Sequence, residues 1–385
     1  MIVVAGAVAN KLHNGGEAWV RLSWALGLKR LGYEVFLLEQ ISPDVCVDTT
    51  GQRSAVQDSE NLRYFRAVVS RFGFDGHAAL ITDDGSVVWG LDRPTLEAMA
   101  DAATLLVNIS GNLRFAPLLR CFRRRAYIDI DPGYTQFWHA QGALGSAIED
   151  HDSWFTVGEN IGRSDCPVPT GGIPWQRVRQ PVVLDDWPVS PALDPQRMTT
   201  IGAWRGAYGT VEFDGHRYGA RAHEWRKLLP LPALAPSTFE AALHIDPADH
   251  ADRDALIGHG WNLVDPRAVA STPDDFRRYV QGSGGEFGVA QGLYVDTRCG
   301  WFSDRTVRYL AAGKPVLVQD TGFGASLPVG EGLLAFRDLP GAVEGSKRID
   351  ADYATHSRAA RRIAETYFDS DIVLPRFLEE SGALA

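Results

Sequence analysis

The chain has 385 residues, 45% of them apolar, and a formal net charge of −10 at pH 7. That length exceeds one typical core and falls short of three, so two domains are expected. The acidic balance argues against a broad nucleic-acid footprint, which needs clustered positive charge to release counterions, and favours a soluble enzyme or binder of small molecules.

Met1-Ile2-Val3-Val4-Ala5-Gly6-Ala7-Val8 has no positive leader and is too short for a secretory core, so it reads as a first β-strand and the protein as cytoplasmic. The loop from Asn10 ends in Asn14-Gly15-Gly16 and opens into a helix over about 17–31, with Trp19, Leu22, Leu26 and Leu28 facing inward and Gly32 as its stop. A strand at 34–39 completes a βαβ unit, whose crossover should be right-handed. Helices near 59–72 and 93–103 follow, then strands at 105–109, 126–130 and 155–157. Pro181, Pro188, Pro191 and Pro195 interrupt regular structure and mark a linker. A second alternating series begins at Met198, with strands near 240–245, 260–264, 286–290, 315–318 and 332–336. Helices near 222–229, 252–257, 273–281 and 303–312 separate them, and two more, at 352–368 and 371–381, close the chain. The expected class is therefore α/β, with two Rossmann-like domains over 1–190 and 191–365 facing a cleft. No run approaches the ~18 apolar residues of a membrane span. Cys46, Cys121, Cys166 and Cys299 lack the paired spacings of zinc or redox motifs, and the histidines include no helix-spaced metal pair.

The stretch 301–324 carries the most chemistry. Ser303 is placed to cap a helix, with Asp304 and Arg305 in its first turn. Val307, Leu310 and Ala311 form an apolar stripe, leaving Arg305, Arg308 and Tyr309 on the opposite face. Gly313 stops the helix, Pro315-Val316-Leu317-Val318 reads as a buried parallel strand, and Asp320-Thr321-Gly322 leaves that strand at its carboxyl end, where open α/β sheets bind ligands.

Asn14-Gly15-Gly16-Glu17 with its helix and Gly32-Tyr33-Glu34-Val35, together with Ser303-Asp304-Arg305-Thr306, Gly313-Lys314-Pro315-Val316 and Asp320-Thr321-Gly322, resemble the nucleotide-sugar-dependent glycosyltransferases of the GT-B fold. The resemblance covers nearly the whole chain in architecture and these two regions in motif. It implies a metal-independent transfer with a nucleotide-diphosphate sugar as co-substrate and no other cofactor. The donor would sit on the second domain, a small-molecule acceptor on the first, and the final helix, 366–385, would return to the first domain. Spore-maturation-type members place a glutamate where this chain has Arg308. Gly300 and Arg308 occupy the places of the paired glutamates of many retaining members, which leaves the anomeric outcome open.

On the donor side, Arg305 joins positive charge to a helix amino terminus, the combination that stabilises a departing diphosphate. The bland alternative is an ion pair with Asp304 or Asp320, and replacing Arg305 by alanine is expected to leave the fold intact. Asp320, Thr321 and Gly322 either hold ligand or form a plain Asx turn. Arg205 and Arg221 follow the first strand of the second domain, Val264 ends a strand near the same rim, and Gly15 and Gly16 are candidates for close approach to ligand. On the acceptor side, His13, Glu17 and Asp131 are the candidate catalytic groups. Asp129 and Asp131 alternate onto one strand face, and Tyr134, Gln136 and Trp138 are candidate pocket walls. The expected partners are a nucleotide sugar and a small acceptor, with no nucleic acid and with homodimerisation open. An epimerase or hydrolase on the same domains, or a catalytically silent donor-binding partner, are the alternatives.

Overall fold

The computed structural model describes residues 1–144 and 146–384. Strands β1 (Ile2–Ala5), β2 (Val35–Ile41), β3 (Ala78–Thr82), β4 (Val87–Trp89), β5 (Leu105–Ile109), β6 (Arg125–Asp129), β7 (Ser153–Thr156) and β8 (Gln176–Arg177) form one sheet. Their order is β4-β3-β2-β1-β5-β6-β7-β8, and only β4 is antiparallel to its neighbour. β1 is apolar on both faces because both are covered. Ile2 and Val4 pack with Trp19 and Leu22 on one side, and Val3 and Ala5 with Leu96 and Leu118 on the other.

The second sheet contains β9 (Arg197–Ala203), then, beyond the separate hairpin of β10 (Val211–Phe213) and β11 (His216–Tyr218), β12 (Thr238–His244), β13 (Asn262–Val264), β14 (Gly285–Gly288), β15 (Val316–Gln319) and β16 (Leu333–Phe336). All six are parallel, in the order β13-β12-β9-β14-β15-β16. Trp225, Trp261, Phe239 and Phe287 fill the core on one face of this sheet.

The helix Gly15–Arg30 is set by Asn14, whose side chain accepts from the Glu17 N–H at 3.1 Å, and ended by Gly32 at φ +89°. It is also the hub of the molecule. The terminal helix Ser370–Glu380 packs on it, with Trp24 edge-on to Phe377 at 5.0 Å and Arg30 paired with Asp371 at 3.0 Å. Its other end docks on the second domain, where Trp19 Nε1 donates to the Pro273 carbonyl at 2.8 Å.

A Cβ at Gly15 would lie 2.0 Å from the Thr272 carbonyl oxygen, so this glycine serves close approach of the two domains rather than of a ligand. Gly15→Ala is expected to lower stability by about 2–3 kcal/mol in thermal unfolding. Gly16→Ala, which meets only the edge of the Phe276 ring at 3.0 Å, should cost less.

The helix Asp304–Ala311 departs from the expected two-faced pattern. Arg308 and Tyr309 are buried as deeply as Val307 and Leu310, because the helix is covered by the sheet on one side and by the first domain and the helix Tyr353–Tyr367 on others. Arg308 donates to Ser23 Oγ at 3.1 Å across the domain boundary and pairs with Asp304, and the Tyr309 hydroxyl lies 2.6 Å from Thr199 Oγ1.

Candidate active site

In an open α/β sheet the connections diverge where the strand order reverses, and a crevice opens at the carboxyl ends of the two strands concerned. The reversals fall between β1 and β5 in the first sheet and between β9 and β14 in the second. Residues at or just beyond the carboxyl ends of all four strands, among them Ala7, Ser110, Ala203 and Gln291, line one cleft of about 720 Å³ between the domains.

On the second-domain wall, Glu286 is wholly buried in β14. Arg305 Nε donates to its Oε1 at 2.6 Å, and Arg305 Nη1 donates to the Ile201 carbonyl at 2.7 Å. Burial opposes the guanidinium charge, but Glu286 outweighs it and raises the Arg305 pKa. Arg221 opens the helix Arg221–Arg226, with Nη1 3.4 Å from the Ala203 carbonyl oxygen. Its Nε is buried without a hydrogen-bond partner, and among the described residues it makes no ion pair. A Cβ on Gly202 would sit 2.8 Å from Arg221 Nη1 and 3.9 Å from Arg305 Nη1, so a glycine at the end of β9 makes room for the two cations. Burial, and then repulsion from Arg305, lower the Arg221 pKa to about 10, which leaves it charged at neutral pH. Two neighbouring guanidiniums thus line the cleft with one carboxylate partner between them.

On the first-domain wall, Asp131 follows β6. Its Oδ2 accepts from the Tyr208 hydroxyl at 3.2 Å and its Oδ1 from the Tyr294 hydroxyl at 3.3 Å. Burial, then the charges of Asp129 and Glu17, push its pKa up to about 7. Asp129 is a structural acid. Its two oxygens accept from Thr135, Gln136, Thr156 and the Asp131 N–H at 2.7–3.0 Å, which leaves it no capacity for a shared ligand. Gln136 and Tyr134 are accordingly interior rather than pocket walls, whereas Trp138 does line the cleft. Glu17 is paired with Arg21. Against the cost of burial, Arg21 and then Lys11 hold it below the usual carboxylate range, so it is an engaged anion and not a free base. His13 lines the cleft in a left-handed backbone conformation, φ +54°, with its ring edge-on to Tyr64.

No family model and no curated protein matches the sequence. Solved structures match over the whole length. An α-glucosyltransferase in complex with UDP has a TM-score of 0.61 at 11% identity, over 99% of this chain and 100% of that one. Anabaena HepE in complex with UDP scores 0.60 at 11% identity over 100% of both chains. Sucrose-phosphate synthase from Thermosynechococcus elongatus scores 0.53 at 12% identity, over 100% of this chain and 99% of that one. The chain has the GT-B fold.

One expectation is overturned by the same comparison. The α-glucosyltransferase has also been solved with UDP and a 13-mer DNA containing an HMU base, so the GT-B architecture holds DNA beside a nucleotide and an acidic chain average does not exclude a nucleic-acid partner. The physical reason lies in the cleft, where Lys11, Arg21, Arg114, Arg221, Arg267 and Arg305 outnumber Glu17, Asp131 and Asp304. A local field is set by this lining and not by the total charge.

Within the GT-B cleft the structure brings together His13, Gly16, Glu17, Asp131, Arg221, Ser303, Asp304 and Arg305. Ser303 occupies the N-cap position as expected, but its side chain makes no capping hydrogen bond, and the residue lines the cleft. The remaining candidates lie elsewhere. Arg205 is exposed and held by both oxygens of Asp249 at 2.6 and 2.7 Å. Val264 ends β13, two strands from the reversal point, and the chain first reaches the cleft beyond it, at Pro266 and Arg267.

Asp320 and Gly322 form the plain Asx turn, with the Gly322 N–H donating to Asp320 Oδ1 at 2.8 Å, and Thr321 Oγ1 donates to the Trp301 carbonyl. Asp320 pairs with Arg298 and Arg337 beside a separate cavity. The cause is strand order, since β15 stands one strand beyond the reversal. Glu286, Tyr208 and Tyr294 were not anticipated. Glu286 alone had a legible signal, an acid inside the short apolar strand Gly285–Gly288, which demands a buried cation. Among the described residues no helix is long and apolar enough to cross a membrane, and no cluster of three or more His, Cys, Asp or Glu side chains is arranged to hold a metal ion.

Proposed function

We propose that this chain transfers a sugar from a nucleotide-diphosphate donor, held on the second domain, to a hydroxyl of a small acceptor held on the first. The observation that carries the reading is the pair Arg221 and Arg305 at the β9/β14 reversal, two adjacent cations with one carboxylate partner between them in a cleft of suitable size. The UDP and UDP-glucose complexes of the structural neighbours support it. As the glycosidic bond to the diphosphate breaks, negative charge grows on the leaving oxygen. Both guanidiniums then stabilise it from fixed positions, and we read the transfer as metal-independent. Across the cleft, Asp131 titrates near neutrality and is placed to take the acceptor proton, while His13 stands at the same wall. The indoles of Trp138 and Trp301, the latter backed by the ring of Tyr294, line the cleft and fit a small hydroxylated ring compound.

Incubation with labelled UDP-, GDP- and dTDP-sugars, with and without small hydroxylated acceptors or hydroxymethylated DNA, tests this reading. Release of nucleoside diphosphate is expected from at least one donor, accelerated by a small acceptor. Acceleration by DNA alone would replace the acceptor assignment, alteration of the sugar alone would make the chain an epimerase, and neither binding nor release with any donor would end the proposal.

A further inference from the structure

Both hydroxyls that hold Asp131 come from the other domain, and one of them arrives by an unusual route. The chain leaves β9 at Ala203 and anchors Trp204 in the second-domain core, but it enters the helix Arg221–Arg226 only after the following residues have run out over the first domain and formed the β10–β11 hairpin. That segment is fastened to the first-domain helix Tyr134–Ala140. Phe137 stacks on Phe213 at 4.6 Å and on Tyr218 at 5.0 Å, and Gln141 Nε2 donates to the Glu212 carbonyl at 2.8 Å. The ring of Tyr208 rests against Tyr134 and Trp138, at 4.9 and 4.8 Å, with its hydroxyl on Asp131. A strap from the donor half thus crosses the cleft and ends on the acceptor-side carboxylate.

We propose that Tyr208 is a positioning residue for Asp131, delivered by this strap, so that the carboxylate is oriented for proton abstraction when the two domains are docked. The proposal rests on the reading of Asp131 as the acceptor-side base. A phenol donating to a carboxylate favours its ionised form. The other groups that act on Asp131 are Asp129 and Glu17, which oppose ionisation, and Lys11 and Arg221, which favour it; the phenols of Tyr127, Tyr134 and Tyr294 complete its surroundings. Tyr208 is the one of these whose position depends on the hairpin.

The test is the carboxyl ¹³C titration of Asp131 in the full chain, assigned by its loss in Asp131→Asn, alongside the pH profile of UDP release from UDP-glucose. Tyr208→Phe keeps the ring and removes the hydroxyl. It is expected to move the Asp131 titration, and with it the acidic limb of kcat/KM, upward by about one pH unit, with KM for donor unchanged and activity regained at higher pH. Phe213→Ala, remote from Asp131, loosens the strap and should shift the titration the same way by less. Wild-type titrations in both variants overturn the proposal, and an activity loss in Tyr208→Phe that is equal at every pH overturns it in favour of a merely structural role. Full turnover in Asp131→Asn is a different failure, since it removes the base itself, while the titration still reports whether the phenol governs that carboxyl.

Discussion

Replacing Arg221 by methionine is expected to weaken UDP binding and turnover by about 100-fold, the scale set by losing one pre-oriented charge-stabilising donor. The same substitution should leave the melting temperature unchanged or raise it. Both expectations come from one arrangement. The Arg221 guanidinium is desolvated beside Arg305, has no carboxylate partner among the described residues, and keeps a buried Nε without an acceptor. Each of these features opposes folding, because a buried charge is tolerated only when paired and hydrogen-bonded. Methionine keeps the apolar stem and removes the repulsion and the orphan N–H, giving up only the 3.4 Å contact from Nη1 to the Ala203 carbonyl oxygen. A residue whose loss stabilises the protein and disables it is retained for binding. Calorimetric titration with UDP and thermal unfolding of the same variant decide the matter. Unaltered UDP affinity with a lower melting temperature would make Arg221 structural and would take it out of the proposed anion site.

The contrast between Arg221 and Asp320 shows what could be read from the chain and what could not. Both lie beyond the carboxyl ends of parallel strands, Arg221 after the β10–β11 hairpin and Asp320 directly after β15, and local pattern does not say which of the two borders the cleft. The difference is the order β13-β12-β9-β14-β15-β16, a product of tertiary pairing that puts β9 at the reversal and β15 outside it. Short, mostly apolar strands such as Leu105–Ile109 and Val316–Gln319 were legible because parallel strands are buried on both faces. β3, β4 and β8 were not anticipated; β4 and β8 are short strands at the sheet edges, and β4 pairs irregularly. The β10–β11 hairpin did carry a readable sign, since Asp214-Gly215 between alternating residues suits a turn with two positive φ values, here 49° and 75°. Where that hairpin lands, and hence what Tyr208 touches, depends on contacts across domains that no local pattern encodes. Gly15 is the intermediate case. Its pattern correctly implied close approach, but the approaching atoms belong to the Thr272 backbone.

Arg305→Ala is the second large effect, and it corrects the expectation that the fold would be indifferent to this residue. Glu286 is 0% exposed and already has one oxygen, Oε2, without a partner. Removing Arg305 strands the whole carboxylate inside β14, and breaking one side of a buried pair costs about 3–5 kcal/mol. For a chain of this size that corresponds to a fall of roughly 5 °C in melting temperature. Donor affinity should drop at least tenfold in parallel, so the single variant by itself confuses stability with binding. The double variant Arg305→Ala, Glu286→Gln separates them. A neutral amide does not need a cation, so most of the lost stability should return, whereas UDP binding should stay weak because the charge facing the cleft is still missing. Recovery of both properties together would mean that Arg305 serves only to neutralise Glu286. Arg221 would then be the cleft's remaining anchor for a diphosphate on the β9 side.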